Sequence, residues 1–454
     1  MSKIYDLPLS YRLTKNYIVP TFKHFYDEYI VLGKENIPAE GPVIFAPNHL
    51  NALMDALAVV SITPDHYSTV FLARADMFGK KIVADFLRFA KLIPAFRVRD
   101  GIENLGKNAE TFDKCVEVLE SNNALGIMPE GNQELERKIR PLVKGIFRIA
   151  FSAQQKIGTA KNVKIIPIGI DMGDLFKFGK HIIINIGKPI DVSEYMPEYA
   201  ENPVAATNKI RNTLKNSLEN LVINLNTKQY YRCFETATQL TNISMLEKMK
   251  FENNTLNRFY ARQEIGKRLV AIERETPAKA AELNTLCSDF ENLRAELNLH
   301  IKNFDTKPRK TILNILSGLG LILLSPVFLI GFLLNFFPFF TPVFIRKMMK
   351  VKFEGFFTSL HYGIGIFSFP IFYLLQAILF FSFTGFSWWL IWLFIPVEYF
   401  SGKWAFRLYK RFRKFVGRIN HSLVMRNKPE LYNKALVIRN SIINIVLNSK
   451  KATR

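Results

Sequence analysis

The chain has 454 residues, a formal net charge of +22 and 40 phenylalanines. That length holds two or three domains. Strong basicity beside long apolar stretches excludes an ordinary cytosolic enzyme. It also excludes a nucleic-acid binder, whose basic residues gather in a polar module.

Residues 1–30 are aromatic and basic, with Tyr5, Tyr11, Tyr17, Phe22, Phe25, Tyr26 and Tyr29 among Arg12, Lys15 and Lys23. They fit an interfacial amphipathic helix or a helix that packs on its own domain. MSKIYDLPLSYRLTKNY at the start lacks the apolar core of a signal peptide, so the following domain is expected in the cytoplasm. From 31 to 200, short apolar runs alternate with helical patterns. PVIFA (42–46), STVFLA (68–73), ALGIMP (124–129), VKIIPIGI (163–170) and HIIINIG (181–187) read as strands, and 107–121 and 142–155 have helical period. Such alternation predicts an α/β domain, a mixed sheet with helices packed over it.

Residues 201–310 carry few strand signals and read as a helical region ending in a hinge, TKPRK (306–310). A membrane-embedded part, 311–404, follows. It holds two apolar blocks, 312–345 and 356–400, each longer than the roughly 20 residues that span a bilayer. Lys307, Arg309 and Lys310 precede the first block. Arg346, Lys347, Lys350 and Lys352 separate the two. Lys403, Arg407, Lys410, Arg411, Arg413 and Lys414 follow the second. The positive-inside rule prefers all three flanks on the cytoplasmic side, so each block is expected to dip as a hairpin, turning at Pro326 and Gly385. Single straight crossings are the alternative. Trp388, Trp389 and Trp392 suit either a bilayer interface or packing inside the hairpin. The tail, 405–454, is basic and helical, a solvated face that also meets lipid headgroups. Cys115, Cys233 and Cys287 lack metal-ligand or disulfide spacing and are expected as free thiols.

The chemistry-bearing residues lie between 46 and 170. APNHLNALMDALAVV (46–60) sets His49 after an apolar run and Asp55 six positions later. The two suit a helix start with a first-turn acid, or a His–Asp base pair. Six positions turn a regular helix by about 600°, so a pair must lie across the turn, His49 before the helix and Asp55 inside it. Asn51 is then the expected N-cap. IPAFRVRDG (93–101) puts Arg97 after an apolar run, where a guanidinium clamps a phosphate or pairs with Asp100. MPEGN (128–132) puts Glu130 and Gly131 at a strand's carboxyl end, where α/β sheets bind ligands, although an ordinary turn has the same composition. Pro167 inside VKIIPIGI suggests an edge or bulge position.

In this order the motifs resemble the glycerolipid acyltransferase family, which carries a His–Asp motif, an Arg motif, a Pro-Glu-Gly motif and a final Val-Pro-Ile motif. The closest likeness is the branch acting on glycerol 3-phosphate or dihydroxyacetone phosphate. It rests on Ile93-Pro94-Ala95-Phe96-Arg97-Val98-Arg99-Asp100, Pro129-Glu130-Gly131 and Pro141-Leu142-Val143-Lys144-Gly145, and it covers roughly residues 30–200. The sequence departs from the family in three ways. Five residues, not four, separate His49 from Asp55. Asn132 stands where Ser or Thr is usual. The Arg motif holds both Arg97 and Arg99, and register favours Arg97.

The resemblance implies His49 as general base and Asp55 as its orienting partner. Arg97, Glu130 and Gly131 would hold the glycerol phosphate, with Lys144 a second phosphate contact or a solvated lysine. It implies acyl-CoA or acyl-carrier protein as the donor substrate, a glycerol phosphate acceptor, membrane lipids as surroundings, and no metal, cofactor or nucleic acid. Two other readings stay open: a 1-acylglycerol-3-phosphate acyltransferase making phosphatidic acid, and a non-catalytic lipid-binding scaffold on the same fold.

Overall fold

A computed structural model describes residues 3–96, 106–306 and 311–449. The chain divides into two compact units. The first is Met1–Asn224 with Phe353–Ser359, and the second is Leu225–Lys352 with Leu360–Arg454.

The first unit is built on one sheet. Its strands are β1 (Glu28–Leu32), β2 (Val43–Pro47), β3 (Thr69–Arg74), β4 (Leu92–Ala95), β5 (Ala124–Gly126), β6 (Lys164–Met172), β7 (His181–Ile186) and β8 (Ile190–Asp191). The order across the sheet is β1-β7-β6-β2-β5-β3-β4, with β8 pairing β6. Strands β2 to β6 run parallel to one another, while β7 and β8 are antiparallel to β6, so the sheet is mixed. The helices are α1 (Leu9–Phe25), α2 (Ala52–Ile62), α3 (Lys81–Phe89), α4 (Lys107–Glu120), α5 (Gly145–Ile157), α6 (Met196–Glu201) and α7 (Pro203–Leu221).

Every residue of β2 is buried, as a central parallel strand requires. Alternation sends Ile44 and Ala46 to one face. There they join a core with Val116 and Leu119 of α4, Phe147 and Phe151 of α5, and Ile210 and Leu214 of α7. Val43 and Phe45 point to the opposite face, the side of α2. Gly126 of β5 allows one close approach, since a Cβ there would lie 2.1 Å from the Phe71 ring of neighbouring β3.

Strands β2, β3, β5, β6 and β7 fall on the five apolar runs read from the sequence. Strand β1 and edge strand β4, which holds Pro94, lacked a clean alternation. Pro167 corrects an expectation, because β6 lies inside the sheet between β7 and β2. It is tolerated where β6 changes partner from β8 to β7, and its carbonyl there accepts from Gly187 N at 2.9 Å.

The second unit is helical: α8 (Tyr231–Met249), α9 (Thr255–Glu275), α10 (Pro277–Glu296), α11 (Thr311–Leu323), α12 (Ser325–Met348), α13 (Phe357–Thr384, its first three residues counted with the first unit), α14 (Ile391–Asn427) and α15 (Pro429–Asn448). Arg268 of α9 donates from Nη1 to the carbonyls of Leu447 (2.9 Å) and Ser449 (3.0 Å), capping the end of α15. Two segments, Ser325–Met348 and Glu354–Thr384, are long and apolar enough to cross a membrane. Phe337, Phe344, Leu374 and Leu379 on them are exposed, unlike residues of a soluble core helix. Asn335 ties three of these helices together: its Nδ2 donates to Glu398 O of α14 at 3.1 Å, and its Oδ1 accepts from Tyr373 OH of α13 at 2.6 Å.

At Pro326, where a turn was expected, α11 gives way to α12. Leu324 N donates to Gly320 O at the end of α11 and Phe328 N to Leu324 O at the start of α12, both at 3.1 Å, so Leu324 alone separates the two helices. Pro326 sits in the first turn of α12, where its missing N–H is tolerated, and Ser325 Oγ donates to the Ile322 carbonyl at 2.7 Å. Ser368 Oγ of α13 donates to Pro338 O (3.0 Å) and Gln376 Nε2 to Leu334 O (3.0 Å) of α12. Gly385 does end a helix, at φ +70°. The first basic flank, 307–310, lies outside the described residues.

Substituting Gly126→Ala forces the Phe71 ring to move and is expected to destabilise the first unit by about 1–3 kcal/mol. Adding Phe71→Leu should recover part of that loss in a thermal unfolding assay. No recovery would mean that the clash is not what Gly126 avoids.

Candidate active site

The site forms at the carboxyl ends of β2, β5 and β6. Strand β2 stops at Pro47, and Asn48 fastens its end to β6. The Asn48 side chain accepts from Ile170 N at 2.6 Å and donates to Ile170 O at 3.2 Å, while its backbone N–H donates to Ile168 O at 3.1 Å. His49 leaves the sheet from this fixed point.

His49 Nδ1 and Asp55 Oδ2 lie 2.9 Å apart, with Asp55 fully buried and the imidazole partly exposed. The arrangement is the one the spacing required, His49 before α2 and Asp55 in its first turn. Asp55 Oδ2 also accepts from Leu50 N at 2.9 Å and Asn51 N at 2.7 Å. The fifth spacer residue is thus absorbed in a loop folded around the carboxylate. Burial pushes the Asp55 carboxyl above its usual range, opposed by the hydrogen bond and charge of His49 and by the N–H groups of Asn51 and Leu50. Its position at a helix N-terminus further favours the charged form. Among the described residues Oδ1 is buried with no partner.

Asn51 is the N-cap residue of α2, but its side chain caps nothing. It is fully buried, and its amide turns away to Thr358 and Ser359. Nδ2 donates to Thr358 Oγ1 at 2.6 Å, and Oδ1 accepts from Ser359 Oγ at 2.5 Å. Thr358 Oγ1 donates in turn to Leu175 O at 2.9 Å, and Leu53 N donates to Ser359 Oγ at 3.3 Å. Two hydroxyls some 300 positions later therefore hold the loop that carries the His–Asp pair. No local pattern signalled this, because the pairing exists only through space.

Glu130 follows β5 and brackets the same loop. Its Oε1 accepts from His49 N at 2.8 Å, and its Oε2 accepts from Arg140 N (3.1 Å) and Arg140 Nε (2.9 Å). Both oxygens are engaged inside the protein, and the Glu130–Arg140 pair is nearly buried. Sequence reasoning missed Arg140, which stands ten residues on in a charged stretch that reads as solvated. Gly131 has φ +72°, a conformation that favours glycine, and its N–H closes a turn onto Met128 O at 3.1 Å. Lys144 is exposed at the N-cap of α5. Arg97, Arg99 and Asp100 lie outside the described residues. The strand leading to them is secured at Phe96, whose N–H and carbonyl pair with the Asn108 amide at 3.0 and 2.9 Å.

A buried carboxylate 2.9 Å from an imidazole at a sheet's carboxyl edge is an arrangement that can support proton transfer. Comparison with known proteins shows what this stretch is similar to. Residues 28–171, the stretch that contains His49 and Asp55, match the Acyltransferase family model. Glycerol-3-phosphate O-acyltransferase 1 of Saccharomyces cerevisiae is 26% identical over 115 residues, a stretch that spans 25% of this chain and 15% of the yeast protein. Among solved structures, the 1-acyl-sn-glycerophosphate (LPA) acyltransferase PlsC from Thermotoga maritima aligns with a TM-score of 0.34 at 17% identity, covering 46% of this chain and 79% of that one.

The geometry separates positioning from binding at Glu130. Glu130→Gln should lower kcat by about 10- to 100-fold through displacement of the His49 backbone. The acceptor KM should change by less than about threefold. A KM effect larger than the kcat effect would place Glu130 on the acceptor.

Proposed function

We propose that this chain is a membrane-bound O-acyltransferase of glycerophospholipid synthesis. It would move a fatty acyl group from acyl-CoA or acyl-carrier protein to glycerol 3-phosphate or dihydroxyacetone phosphate. The observation that carries the reading is the 2.9 Å contact between His49 Nδ1 and the buried Asp55 carboxylate. That contact commits Nδ1–H to the carboxylate and leaves Nε2 to receive a proton.

The acceptor hydroxyl attacks the thioester carbonyl while His49 Nε2 takes its proton. The tetrahedral oxyanion collapses, the C–S bond breaks, and the leaving thiolate takes the proton back from the imidazolium. Asp55 stabilises that imidazolium between the two transfers. The acceptor oxygen occupies the place of a serine nucleophile, so no acyl-enzyme forms. Glu130 and Arg140 hold the His49 backbone, and Gly131 lets the chain turn beside it. Arg97 is assigned to the acceptor phosphate on the motif alone, with Lys144 as a further phosphate contact.

The same reading sets the chain in the membrane through its apolar helices, with the acyltransferase domain on the cytoplasmic face. Support comes from the two segments long enough to cross and from the basic residues at 346–352 and 403–414.

Assays with glycerol 3-phosphate, dihydroxyacetone phosphate and 1-acylglycerol 3-phosphate, each with both donors, test the substrate assignment. A preference for the acylated acceptor would make the product phosphatidic acid and move the protein to that branch. No turnover with any pair would favour a lipid-binding scaffold. His49→Ala should lower turnover by at least about 100-fold with folding intact, and Asp55→Asn should be comparably severe. Near-normal turnover of His49→Ala would remove it as the base. Arg97→Ala should raise the acceptor KM more than Arg99→Ala, and the reverse ranking would move the clamp to Arg99.

A further inference from the structure

Helix α3 presents apolar side chains on both of its faces. Ala84 and Leu87 are buried. Ile82 and Phe86 are 84% and 57% exposed, and Val83, Phe89 and the nearby Met77 are exposed as well. Ile82, Phe86 and Phe89 follow one another at i, i+4 and i+7, a single outward stripe. The helix lies beside β4, the outermost strand of the sheet, and the Tyr11 ring of α1 meets the Phe89 ring edge-on at 6.2 Å. The stripe is therefore mounted on a rigid edge.

The charges around the stripe select its partner. Lys80 and Lys81 stand at the N-terminus of α3, and its first turn holds no acid. Cations at that end oppose the helix dipole, so they cost helix stability in water. Arg88 is exposed farther along and pairs with the one acid of the helix, Asp85, at 3.1 Å. An exposed apolar stripe rimmed by lysines, on a helix whose own dipole disfavours them, matches the boundary between anionic headgroups and acyl chains.

We propose that α3 is an interfacial docking helix that lays its Ile82–Phe86 stripe into the surface of an anionic bilayer. The docking is a property of the first unit itself and does not depend on the apolar helices of the second or on the acyltransferase reading. It brings the bilayer to the strand that leads into Arg97.

The test uses the full chain in nanodiscs of phosphatidylcholine and phosphatidylglycerol that contain a doxyl-labelled quencher lipid. Cys115, Cys233 and Cys287 are replaced by alanine. A polarity-sensitive fluorophore is attached at Ile82→Cys, at Phe86→Cys or at Lys161→Cys, an exposed control before β6. Quenching at 82 and 86 should exceed that at 161 by at least about twofold. It should fall when Lys80 and Lys81 are changed to Glu, or when phosphatidylglycerol is omitted. Quenching at 82 and 86 no greater than at 161 would overturn the proposal. So would a fluorescence change at 82 that follows protein concentration in lipid-free detergent, since a second copy would then cover the stripe.

Discussion

The site depends on one buried carboxylate. Asp55 is fully desolvated, yet the proposed mechanism requires it to carry charge, to hold an imidazole in one tautomer and stabilise its protonated form. Desolvation alone drives such a group toward neutrality. Three donors converge on Oδ2, from His49, Leu50 and Asn51, and the helix begins at that point, so the charge is met by local dipoles. The loop from His49 to Asn51 is therefore folded around the Asp55 carboxyl group.

Such a loop keeps its shape only if its other groups are satisfied. Asn48 fastens its beginning to β6, Glu130 holds the backbone N–H of His49, and Thr358 and Ser359 satisfy the Asn51 amide. These supports come from three separate stretches of chain. The sheet supplies two of them, because β2 and β6 are adjacent and β5 lies on the other side of β2. Parallel strands bring their carboxyl ends to a common edge, which makes that edge the natural place to assemble groups distant in sequence.

Much of the arrangement was legible beforehand. Strands buried on both faces announce themselves as continuous apolar runs, and β2, β5 and β6 did so. The six-residue interval from His49 to Asp55 already forced the pair across a helix start. Other features were not legible, for physical reasons. The Asn51 side chain was expected to cap α2, but a buried amide goes where partners exist, and Thr358 and Ser359 supply them. Glu130 looked like a ligand contact because its place at a strand end is where ligands sit, and nothing local reveals that both its oxygens are spent on His49 and Arg140. Pro326 reads as a breaker in any apolar run, whereas in the first turn of a helix its missing N–H is tolerated. The outward stripe of α3 escaped notice because sequence alone does not show which face of a short apolar helix is covered.

The central claim is that His49 carries its proton on Nδ1, toward Asp55, and presents Nε2 as the base. The most direct measurement is nitrogen NMR of the full chain labelled at histidine, with the His49 signals assigned by comparison with His49→Gln. The account predicts a protonated Nδ1 and an unprotonated Nε2 in the neutral form, and loss of that preference in Asp55→Asn. A proton on Nε2 in the unmodified protein, or a pattern indifferent to Asp55→Asn, would contradict it.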